Sequence, residues 1–134
     1  MPALFTLATG TFSATTTANS IAYTLTYTKL SGAVQQAHIH FAQRGVSGGI
    51  SAFLCTNLGN GPAGTPPCPG PMSGTISGTI TAANVVGFAS SQNIAAGQIG
   101  KLLSAIKGGV AYADVHTVAF QTGEIRGQIA TVVP

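Results

Sequence analysis

Three histidines are the residues of this sequence best equipped for chemistry, and two of them stand one residue apart in Ala37-His38-Ile39-His40-Phe41. The third closes Tyr112-Ala113-Asp114-Val115-His116, two positions after one of the chain's two carboxylates. Alternate side chains of a strand point to the same face, so His38 shares a face with His40, and Asp114 with His116. Imidazole nitrogen and carboxylate oxygen are ligands for zinc or copper. His38, His40 and His116 are therefore candidate metal ligands, with Asp114 as a fourth ligand or as the partner that orients a histidine. The plainer reading is a polar brace, in which the same side chains fix strands and loops by hydrogen bonds.

The second carboxylate, Glu124, lies near Arg126 in Gly123-Glu124-Ile125-Arg126-Gly127-Gln128-Ile129. If strands Val110 to Ala119 and Gly123 to Val132 pair through the turn at Phe120-Gln121-Thr122-Gly123, both carboxylates, Arg126 and His116 fall on one sheet face. Glu124 and Arg126 then have a structural role, as a salt bridge or as an anchor for a loop. Acid–base catalysis by Asp114 and Glu124 would need a cleft and displaced pKa values. The glycine-rich stretches Gly45 to Gly49 and Gly59 to Gly64 lack the strand-to-helix setting of a phosphate loop or dinucleotide fingerprint. No nucleophile motif is present, so no catalytic residue is assigned and a non-enzymatic protein is expected.

Strands must position these groups, and the rest of the sequence reads as strands. Ile21 to Thr28 alternates cleanly, with Ile21, Tyr23, Leu25 and Tyr27 on one face and Ala22 and three threonines on the other. Leu4 to Thr9 and Thr11 to Ala18 read as two strand-like segments parted by Gly10. Further strands are expected over Ala33 to Phe41, Ile50 to Cys55 and Ser73 to Thr81. One helical signature falls within Ala95 to Gly109: Ile99, Leu102, Leu103 and Ile106 follow helical spacing, Lys107 suits the C-terminal end and Gly108 can supply a left-handed cap. The pattern predicts an all-β antiparallel Greek-key sandwich with one short helix before the last two strands.

A length of 134 residues suits one domain, residues 1–134, with a core of its own. Charged residues are only 5% of the chain, and the five cations are scattered, which argues against nucleic acid as a partner. A surface this poor in charge lacks the residues that keep sheet edges apart, and points to a homo-oligomer or polymeric assembly. No stretch approaches the ~20 apolar residues of a transmembrane segment, and the first residues do not resemble a secretory signal. Cys55 and Cys68, the only cysteines, bound a Pro/Gly/Asn-rich loop and are expected to form a disulfide. Closing such a loop stabilises by roughly 3 kcal/mol and implies an oxidising compartment. A secreted or cell-surface protein whose signal has been removed is therefore expected.

Taken together, Ala37-His38-Ile39-His40, Gly45-Val46-Ser47-Gly48-Gly49, Tyr112-Ala113-Asp114-Val115-His116-Thr117 and Gly123 to Ile129 resemble a chordin-type CHRD domain of the bacterial kind. The resemblance covers nearly the whole chain. It implies a secreted or cell-surface antiparallel β-sandwich of generally unknown biochemical role, with His38, His40, His116 and Arg126 at the family's signature positions. Together with the charge-poor surface and the expected disulfide, it points to a non-enzymatic extracellular or cell-surface module for partner binding or self-assembly. Two departures stand out: a Glu-Val-Pro-Pro type segment expected near residues 10 to 15 is missing, and Asp114 stands where asparagine is usual, adding an anion beside His116. A copper- or zinc-binding metalloprotein is the alternative reading. The His-x-His strand is also loosely similar to the copper-zinc superoxide dismutase sandwich, but that two-metal site needs more histidines than the three present.

Overall fold

The computed structural model describes residues 3–130. Strands β1 (Thr9–Thr16), β2 (Ile21–Thr28) and β5 (Gly74–Ile80) form a three-stranded antiparallel sheet in the order β1-β2-β5. Strands β3 (Val34–Phe41), β4 (Ile50–Thr56), β6 (Ala111–Thr117) and β7 (Ile125–Gln128) form a four-stranded antiparallel sheet in the order β4-β3-β6-β7. After β3 and β4 are laid in one sheet, β5 returns to the other and pairs with β2, the return that a Greek key requires.

The alternation of β2 buries Ile21, Tyr23, Leu25 and Tyr27 in a core shared with Ala37, Ile39, Ala113 and Val115 of the opposite sheet. The helix α1 (Ile99–Lys107) adds Ile99, Leu102, Leu103 and Ile106 to that core. Two core tyrosines keep their hydroxyls satisfied: Tyr23 donates to the carbonyl of Leu54 and Tyr27 to that of Pro69. Burial pushes the Tyr27 hydroxyl up to about 12, so it stays protonated. Cys55 and Cys68 are joined in a disulfide that closes the Pro/Gly-rich loop.

Three local expectations are corrected. One strand, not two, runs through Gly10, and residues 3–8 form no strand. Gly10 serves close packing: a Cβ there would lie 2.9 Å from Ile125 Cδ1 and 3.0 Å from the carbonyl of Thr26. At the end of α1 the left-handed residue is Gly109 (φ 74°), whereas Gly108 keeps right-handed helical geometry. The final strand is Ile125–Gln128, shorter than Gly123 to Val132, whose last residues lie outside those described.

Candidate metal centre

The register of the four-stranded sheet assembles the site. Asp114 lies opposite His38, Tyr112 opposite His40, and His116 opposite Gln36. Residues opposite one another in a sheet share a face, so two strands deliver three imidazoles and a carboxylate to one patch. Against β4, the ladder of β3 shifts register between Ala37 and His38 and again between Ile39 and His40. Such irregularities re-aim side chains, and here they flank both histidines.

The four functional groups converge, one ligand atom from each lying within 4.8 Å of all the others. His116 Nε2 is 2.9 Å and His40 Nε2 3.1 Å from Asp114 Oδ2. His38 Nδ1 lies 3.5 Å from Asp114 Oδ1 and 3.3 Å from His116 Nε2. All four residues are buried, none more than 8% exposed.

Each ring also has a partner on its other side. His40 Nδ1 donates to the carbonyl of Gly48 at 2.8 Å, and His116 Nδ1 to that of Gln121 at 2.8 Å. His38 Nε2 donates to Gln36 Oε1 at 3.0 Å, and the same oxygen accepts from Asn60 Nδ2. A carbonyl oxygen can only accept, so each outer nitrogen carries a hydrogen, and each neutral ring turns a lone pair inward. His40 Nε2 and Asp114 Oδ1 are also buried without a hydrogen-bond partner. Buried polar atoms are seldom left so, and two of them aim into one patch.

The electrostatics follow from this crowding. Burial alone would raise the Asp114 carboxyl, but the His116, His38 and His40 rings beside it outweigh burial and hold the group well below the usual carboxylate range. Burial also opposes charge on His116, yet its hydrogen bond to Asp114 wins and its pKa is raised. At His38 burial wins and the pKa is lowered.

Aromatic rings and loops enclose the cluster. Phe53, opposite His38 on β4, meets its ring edge-on at 4.6 Å between centroids. Tyr112 stacks flat on His40 at 4.7 Å, and the Arg126 guanidinium sits 3.5 Å above the Tyr112 ring centroid. Arg126 Nη1 also donates to the carbonyl of Val46 at 2.9 Å, and the Tyr112 hydroxyl accepts from Gly48 N. These bonds draw the loop over residues 45–49 across the site. At Gly48 any side chain is excluded, since a Cβ would meet the carbonyl oxygen of Phe41 at 1.8 Å.

The CHRD domain family model matches residues 2–129. The chain belongs to the CHRD family. No curated protein and no solved structure matches it. CHRD domains occur in extracellular proteins and are generally non-enzymatic modules. Among the described residues, no helix is long and apolar enough to cross a membrane.

In this CHRD domain His38, His40, His116 and Asp114 come together, and Arg126 lies beside them, opposite Asp114 in the ladder. Glu124 does not share that face. It precedes β7, and its carboxylate accepts from Thr117 Oγ1, Thr6 Oγ1 and the backbone N–H of Ser31, with no bond to Arg126. Arg126 and Glu124 thus tie down different segments instead of each other. Sequence reasoning missed Gln36, Gln121, Asn60 and Tyr112. Of these, Gln36 and Tyr112 carried a signal, each standing two residues before a site residue, His38 or Asp114, on the same strand face.

Proposed function

We propose that this protein is an extracellular, non-enzymatic CHRD module whose four-stranded sheet is pinned by a divalent metal ion, zinc or copper, held by His38 Nδ1, His40 Nε2, His116 Nε2 and an oxygen of Asp114. The observation that carries the reading is that all three histidines spend their outer nitrogen on a carbonyl oxygen, leaving three inward lone pairs beside a carboxylate. Metal-bound histidines are oriented in this way. Ligands about 2.0 to 2.1 Å from a tetrahedral ion stand roughly 3.3 Å apart. His38 and His116 already meet that spacing at 3.3 Å, and the widest pair, at no more than 4.8 Å, closes by at most about 1.5 Å.

Zinc is the better match of the two. Four protein ligands complete a tetrahedron and leave no open position for water or substrate, which is the pattern of a structural site. The disulfide supports the extracellular setting, because thiols stay reduced in the cytosol.

Metal analysis of the purified protein, followed by calorimetric titration of chelator-stripped protein with zinc and copper, tests the reading. One equivalent should bind to the wild type, raising its melting temperature, with binding at least about tenfold weaker in His40→Ala. If wild type binds neither metal stoichiometrically, or the variant binds equally well, the cluster is a hydrogen-bonded brace.

A further inference from the structure

One side of the sandwich carries two apolar features, an outward-facing arm and a groove that opens at the margin of the core. The first is the arm formed by residues 3–8, ahead of β1. Thr6 Oγ1 donates to Glu124 Oε2 at 2.6 Å and Ala8 packs against the core, so one side of the arm is anchored. Phe5 and Leu7 alternate with those anchors and point outward, 92% and 72% exposed. Large apolar side chains are seldom exposed as neighbours in an extended row without a partner.

The second feature is a groove of about 510 Å³ between β1 and β7, the open edges of the two sheets. Phe12, Leu25, Val115, Ile125 and Gly127 are among the residues that line it. Its β1 wall is eight residues long, with no charge, no proline and an unbroken register against β2. Edge strands ordinarily carry one of those devices to discourage pairing, and β1 has none.

We propose that this side is an interface between two copies of the chain, with Phe5 and Leu7 of one copy seated in the β1–β7 groove of the other. Both halves of the contact lie on the same molecule, and the arm's outward face is held in place by Thr6 and Ala8 before any partner arrives, which lowers the ordering cost of association. Arg126 and Asp114 line the groove as one charge of each sign, and Lys29, Arg44, Lys101 and Lys107 do not line it, so the net charge of +3 on each copy is not concentrated there. Ala8 and Thr9 themselves line the groove, so donor and acceptor are neighbours. A mutual exchange about a two-fold axis then satisfies both copies at once.

Sedimentation across a range of concentrations, with wild type, Leu7→Lys and Gly127→Lys, tests the interface from both sides. Both substitutions are compatible with the fold: Leu7 is exposed, and a Cβ at Gly127 meets nothing within 4 Å. Wild type should dimerise, and each lysine should raise the dissociation constant about tenfold to a hundredfold, the cost of losing one buried apolar anchor or blocking its seat. Mixing a Leu7→Cys protein with a Gly127→Cys protein should give a disulfide-linked dimer joining the two kinds of chain. A wild type that stays monomeric at every concentration overturns the proposal. So does association that both lysine variants retain unchanged, or cross-linking of each cysteine variant only with itself.

Discussion

The two sheets carry the same alternation of apolar and polar side chains and put their polar faces to opposite uses. On the three-stranded sheet the outward face is a set of hydroxyls in cross-strand rows, with Thr9 bonded to Thr28, Thr26 to Thr75 and Thr24 to Ser77 at 2.9 to 3.0 Å, all exposed to solvent. On the four-stranded sheet the outward face of β3 and β6 is roofed by loops, and all seven residues of β6 are buried. A hydroxyl in water loses little when its neighbour is removed, because water replaces the bond. An imidazole or carboxylate under a roof has no such substitute, and each must find a partner or forgo its charge. Burial, more than residue type, therefore turns a polar strand face into a site.

The contrast can be broken at its strongest point with Asp114→Ala. Removing the one anion among three buried imidazoles should cost about 3 kcal/mol or more in the metal-free protein. Urea unfolding in the presence of chelator measures this. Glu124→Gln comes next, at about 2 kcal/mol, because a buried carboxylate with hydroxyl and backbone donors loses its charge-assisted bonds. Burial would raise the Glu124 carboxyl, but the bonds from Thr6, Ser31 and Thr117 outweigh it and hold the group below its ordinary value. The native state thus stays ionised where the unfolded chain takes up a proton. This stability is complete above the unfolded value, roughly pH 4, and is lost as pH falls through the lower folded value. Stability profiles over roughly pH 3 to 6 should show a shallower acid limb for Glu124→Gln than for wild type.

The smallest effect belongs to the open face. Thr26→Val removes the hydroxyl that pairs with Thr75 and should change stability by no more than about 0.5 kcal/mol. A loss there comparable to that of Asp114→Ala would erase the distinction between the two faces.

How much of this was legible in the sequence depended on the range of the interactions. The bounds of β2, Ile21–Thr28, match its alternation residue for residue, because period two over eight residues is a local property. The helical face of α1 was readable for the same reason, although its cap shifted by one glycine. Gly10 reads as a break when its neighbours are unknown, and becomes a packing glycine only once Ile125 arrives from the far end of the chain. In the site, His38, His40, Asp114 and His116 could be named from strand periodicity. Gln36, two residues before His38 on the same strand, was within reach of that periodicity too, but the convergence depends on cross-strand register, and the outer bonds to Gly48 and Gln121 on how the loops close. Glu124 was misplaced because β7 begins one residue after it, so strand alternation does not govern its direction.

One chain of contacts ties the cysteines to the histidines. Asn60 lies inside the loop closed by Cys55 and Cys68, accepts a hydrogen bond from Thr56 and donates to Gln36 Oε1, the atom that fixes His38. Opening that loop would release Asn60 and remove one of the two bonds to Gln36 Oε1. The disulfide therefore bears on the histidine cluster as well as on the loop it closes, through one amide shared by Asn60 and His38.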